Sequence, residues 1–132
     1  MFLNELNEME KEAFLSLSVH VANANDIIEE SEVAIIGEYI KEMNLGLFDI
    51  SEALSMEEVI DIVSCSSYRH KKIIMLELLG LAYIDGDYDD NEQSVVNDFA
   101  KKIALEDADI KNINAAIEKY IIVLKEVADV IA

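Results

Sequence analysis

The sequence predicts an all-α protein: a single bundle-like domain over residues 1–132, with six or seven helices built from two related helix-turn-helix repeats. Three observations point there. Proline is absent and glycine occurs four times in 132 residues, so the main breakers are missing from helix interiors. Apolar residues recur at i, i+3 and i+4, whereas no segment alternates cleanly between turn residues as a strand would. A shift of 60 positions also brings the two halves into register, as an internal repeat does.

The first helix carries Leu6, Met9, Ala13, Phe14, Leu17 and Val21 on one apolar stripe expected to be buried. An acidic turn, "NANDIIEESE", leads to a second stripe of Val33, Ile36, Ile40 and Met43. Ser55 and Glu58 have the spacing of a capping box and open the helix "VIDIVSC". The stretch "SCSSYRHKK", 64–72, reads as the junction between the halves. The second half starts near Tyr68, with Ile73, Leu76, Leu79 and Tyr83 as its stripe. After a second acidic turn, "DGDYDDNE" at 85–92, come Val95, Val96, Phe99 and Ile103. The last helix uses Ile110, Ile113, Ile117, Tyr120, Leu124, Ala128 and Ile131. The links are short, so sequential helices are expected to pack antiparallel.

The pseudo-repeats cover about 11–65 and 71–125. Ala22 falls on Ala82, Glu32 on Glu92, Lys41 on Lys101 and Tyr39 on Phe99. Identity is low, but the turn, both flanking helices and the exit match without a gap.

Composition narrows the function. With 52% hydrophobic residues the chain can bury a core without disulfides, and the lone Cys65 suits a reducing cytosol. The net charge of −18 repels phosphate backbones and anionic lipid. It attracts divalent cations and basic protein patches, although solubility alone would also account for it. The N-terminus is acidic where a secretory signal needs positive charge. The longest apolar run, 73–84, is interrupted by Glu77 and too short to span a bilayer. A cytoplasmic location is expected, with a protein partner, no nucleic acid and no membrane insertion. Association with a second copy is compatible with these features.

The turn 85–92 has a structural explanation. Gly86 can end one helix in the left-handed conformation, and Asp85 can bond turn amides. Asp89 can cap the next helix, with Glu92 reaching back as in a capping box. Asp87 and Asp90 are left without a structural task. Two carboxylates about 7 Å apart repel by roughly 0.6 kcal/mol even in bulk-water dielectric, and Ca²⁺ or Mg²⁺ would relieve that repulsion with the oxygen ligands it prefers. An EF-hand does not follow, because Asp90 and Val96 stand where its glycine and bidentate glutamate belong.

The stretch "LAYIDGDYDDNEQSVVNDFAKKIAL", 81–105, resembles the signature of the TerB-like family, named for bacterial tellurite resistance. Asp85, Gly86, Tyr88 and Glu92 stand at the positions of its Asp-Gly, apolar turn residue and helix-opening Glu. The resemblance implies an all-helical domain of two related halves, a role in stress response, and a divalent-metal site in the acidic cluster. It implies Asp85 and Glu92 as ligands; the charge argument adds Asp87 and Asp89. The first half departs from the motif, with Asn25 and Asp26 in place of Asp-Gly.

No reaction chemistry is legible. Neither His20 nor His70 follows a Glu by three residues, and no His-Glu-x-x-His, phosphate-binding glycine loop or Gly-x-Ser-x-Gly occurs. Cys65 reads as a packed or half-buried residue, and both histidines as polar helix-edge residues. Glu77 either faces solvent or is partly buried beside Lys71 or Lys72. The expectation is a non-enzymatic module that binds a divalent cation weakly and acts through protein contacts; the alternative is an acidic interaction domain without metal that engages a basic partner.

Overall fold

The computed structural model describes residues 2–22, 41, 53–84 and 90–132. These form a 3-10 turn, Leu3–Glu5, and five α-helices: α1 Glu8–Ala22, α2 Met56–Ser64, α3 Tyr68–Ile84, α4 Asp90–Lys102 and α5 Asp107–Val130. No strand occurs among the described residues. All-helical architecture therefore stands, with five helices described where six or seven were expected. The first acidic turn and the stripe Val33, Ile36, Ile40 and Met43 lie outside the described residues.

α1 opens on a reciprocal cap. The Asn7 side-chain oxygen accepts the Glu10 N–H at 2.8 Å, and a Glu10 carboxylate oxygen accepts the Asn7 N–H at 2.9 Å. The helix then runs through the centre of the core, with every residue from Ala13 to Val19 buried. A one-sided stripe understates this. Buried Ser16 and Ser18 are both satisfied, Ser18 by donating to the Phe14 carbonyl at 2.9 Å. Met9, expected in the stripe, is 62% exposed, because the first turn precedes entry into the core.

α2 is held against α1 through the backbone of Leu54. Its N–H donates to the Ser16 hydroxyl at 2.9 Å, and its carbonyl lies 2.7 Å from His20 Nε2. His20 is thus an inter-helix tie rather than a polar edge residue. The capping box expected at Ser55 and Glu58 is present, and Val59 and Val63 face the core.

α3 packs along α5 more extensively than any other described helix pair. A tyrosine marks each end of the contact. The Tyr68 hydroxyl donates to Asp109 at 2.6 Å and accepts the Glu106 N–H at 3.1 Å. The Tyr83 hydroxyl lies 3.1 Å from Asn114 Oδ1 and 3.2 Å from Glu118 Oε1. Glu77 is buried, and its carboxylate accepts the Phe2 N–H at 2.9 Å, which fixes the N-terminal segment on α3.

α4 ends in a Schellman turn. The Leu105 N–H reaches the Ala100 carbonyl at 3.1 Å, and the Ala104 N–H the Lys101 carbonyl at 3.0 Å. Ala104 holds φ at 62° there, a conformation that disfavours a Cβ. Ala104→Gly is therefore expected to raise stability by up to about 1 kcal/mol, read as a higher denaturant midpoint with unchanged slope.

α1 and α3 start 60 positions apart, at Glu8 and Tyr68, as the repeat register requires. The third helices do not follow it: α2 starts at Met56, whose counterpart Ala116 lies inside α5. α5 also departs from expectation. Ile117 is buried, Ile110, Ile113 and Ile121 pack at the core's edge, and Tyr120, Leu124, Ala128 and Ile131 are exposed.

Candidate functional site

The four carboxylates expected to meet a cation are split by what the structure describes. Asp85, Asp87 and Asp89 lie outside the described residues. Glu92 is half-buried in the first turn of α4, beside exposed Asp90. The described part of that helix starts at Asp90, and the cap expected at Asp89 lies outside the described residues. Negative side chains near a helix N-terminus interact favourably with the helix dipole. Among the described residues, no group of three or more His, Cys, Asp or Glu side chains could hold a metal ion.

The described structure does assemble one buried ionic cluster, which the sequence reading missed. Glu10, 3% exposed, meets His70 across the α1–α3 contact. His70 Nδ1 stands 3.0 Å and 2.9 Å from the two carboxylate oxygens. A carboxylate only accepts, so Nδ1 carries the proton. Burial works against the ionised form of Glu10. The Asn7 N–H, the Ser66 hydroxyl beside it and the His70 ring outweigh burial, and the carboxyl pKa lies below its ordinary value of 4.5.

The same carboxylate therefore caps α1 and anchors α3. Its signal was present as "NEME", 7–10, an Asn-x-x-Glu spacing equivalent to the one read at Ser55. The partner was not legible, because His70 lies 60 residues away.

A shallow groove of about 300 Å³ runs beside this cluster, lined by Met9, Glu10, Asp61, Ile62, Cys65 and Ser66. Cys65 is exposed there rather than packed. Neither histidine lines the groove: His70 Nδ1 is bound to Glu10, and His20 Nε2 lies against the Leu54 carbonyl. Further along α3, the Arg69 guanidinium clasps Glu5 with bonds of 2.9 and 3.0 Å, and the Lys72 ammonium sits 5.2 Å above the Tyr68 ring. The first contact joins α3 to the N-terminal 3-10 turn, and the second lies within α3. Among the described residues no helix is long and apolar enough to cross a membrane.

Comparison with known proteins bears on identity. No curated protein and no solved structure matches the chain. A family model described as tellurite resistance protein TerB matches residues 11–115, about four-fifths of the sequence. The match runs from α1 through the acidic turn and into α5, and it stops before the exposed end of that helix. The chain belongs to the TerB family.

Proposed function

We propose that this TerB-family chain is a non-enzymatic stress-response module that binds a divalent cation weakly at the acidic turn 85–92 and acts through contacts with other proteins. The observation that carries the proposal is the family match, whose span of residues 11–115 includes that turn and the helices on both sides of it. The donor set supports a hard cation. Asp85, Asp87, Asp89 and Glu92 offer only carboxylate oxygens, the ligands of Ca²⁺ and Mg²⁺. A borderline ion such as Zn²⁺ would draw on nitrogen or sulfur, and both histidines are engaged elsewhere. Among the buried ionisable groups, Glu10 and Glu77 each place one carboxylate oxygen on a backbone amide, and Glu10 also holds His70, which fits a role for both in holding elements together. The duplication of the two halves is supported by the common start of α1 and α3, and it is opposed by the offset of α2 from its counterpart.

Calorimetric titration tests the cation. Ca²⁺ or Mg²⁺ is expected to give a saturable heat at millimolar concentration, which the double variant Asp85→Ala, Glu92→Ala abolishes while Zn²⁺ binds no better. Absence of heat, or heat unchanged in the variant, contradicts the proposal.

The charge of −18 favours a second reading, an acidic interaction domain that engages a basic partner without metal. It predicts salt-sensitive capture of a basic protein that survives the same double substitution. Capture that is insensitive to salt contradicts it.

A further inference from the structure

The exposed half of α5 has an organisation that the cation proposal does not use. Past Ile121 no residue is buried, yet the sequence stays apolar. Tyr120, Val123, Leu124, Val127, Val130 and Ile131 are between 40 and 84% exposed. At 100° per residue they fall within an arc of about 120°. Their three-four spacing continues that of Ile110, Ile113 and Ile117, which face α3 and the core. Among the described residues, the same amphipathic seam therefore packs against α3 and the core in its first half and stays exposed in its second.

We propose that this projecting half is a self-association surface, occupied by the same helix of a second copy in antiparallel orientation. Charge selects the occupant. Residues 119–132 contain Lys119, Lys125, Glu126 and Asp129, two basic and two acidic, so their net charge is zero in a chain of net −18. The whole imbalance lies elsewhere. A basic partner finds no acidic field on this segment, whereas two copies meet here without like-charge repulsion.

Area agrees with a weak dimer. The six side chains hold on the order of 600 Å² of accessible surface per copy, somewhat below the roughly 800 Å² one partner gives to a standard interface. An apolar patch of this size stands at the upper end of the roughly 300–600 Å² that the largest patch on a typical monomer reaches, and such patches are often functional.

Orientation follows from the acidic bodies. The segment is about 21 Å long, beyond the roughly 8 Å Debye length at physiological ionic strength. Antiparallel pairing sets the two bodies at opposite ends of that length; parallel pairing sets them side by side.

Analytical ultracentrifugation of the full chain tests the dimer. The mass is expected to rise from 14.8 kDa toward twice that value with concentration, and the dimer to tighten as salt is raised, since screening relieves residual repulsion. Leu124→Glu and Val127→Glu are each expected to weaken the dimer at least tenfold. Ile122→Glu, exposed on the opposite side of the helix, leaves it unchanged. All three positions are exposed, so circular dichroism should show intact helices.

A spin label on Ala132→Cys in a Cys65→Ser background should lie about 20 Å from its mate. A chain monomeric at every concentration, a dimer indifferent to Leu124→Glu and Val127→Glu, or one equally weakened by Ile122→Glu overturns the proposal. So does a dimer that loosens with salt, or a monomer that uses these residues to bind phosphatidylcholine vesicles. Labels in contact within the dimer overturn the antiparallel arrangement.

Discussion

Phe14→Ala is expected to lower the free energy of unfolding by about 3–5 kcal/mol, the typical cost of emptying a buried phenylalanine site. Phe14 is fully buried at the midpoint of the described core, on a helix whose neighbours from Ala13 to Val19 are buried on every side. Little room exists for the surroundings to collapse, so the cavity term is added to the transfer term. A domain of this size has about 5–15 kcal/mol of stability in total, and the variant should lose a third or more of it. Urea unfolding measures the loss. A drop below about 1 kcal/mol would mean that α1 is not the central helix.

Glu10→Ala is expected to cost about 2–3 kcal/mol at neutral pH, from the lost cap of α1 and the lost charged bond to His70. The effect carries a pH signature. The folded-state pKa of Glu10 lies below its ordinary value of 4.5. A carboxyl depressed on folding contributes its full stabilisation above the unfolded value and loses it as pH falls through the folded value. The stability gap between wild type and Glu10→Ala should therefore hold from neutral pH down to the ordinary carboxyl range and close below it. Comparing the two proteins isolates Glu10 from the other 27 acidic residues, which titrate in both. A gap constant through that acid range contradicts the assignment.

These two residues show what the sequence discloses. Phe14 was legible as core, because apolar periodicity reports which residues leave water. The same pattern could not show that α1 is surrounded, since "AFLSLSV" reads alike for a stripe and for a buried helix. The Ser55–Glu58 cap was legible because both members lie within one turn. The Asn7–Glu10 cap has the same spacing, but His70 joins it only through the tertiary fold.

Long-range polar pairing left no local trace in either histidine, in Glu77 or in Ser16. Each is engaged by a partner more than 30 residues away. Periodicity also misled at Met9, which is exposed, and along α5. The stripe of α5 predicts an apolar seam correctly and says nothing of where the protein it packs against ends. Of the candidate cation ligands, Glu92 lies in the first described turn of α4, while the Asp89 expected to cap that helix lies outside the described residues.

The titration of the acidic turn, followed residue by residue by amide NMR on the uniformly labelled chain, tests the central functional claim most directly. On addition of millimolar Ca²⁺ or Mg²⁺ the resonances of residues 85–92 should move along one saturating curve, and the Asp85→Ala, Glu92→Ala variant should lose that movement. Small shifts spread evenly over the acidic surface, or none at the turn, would contradict it.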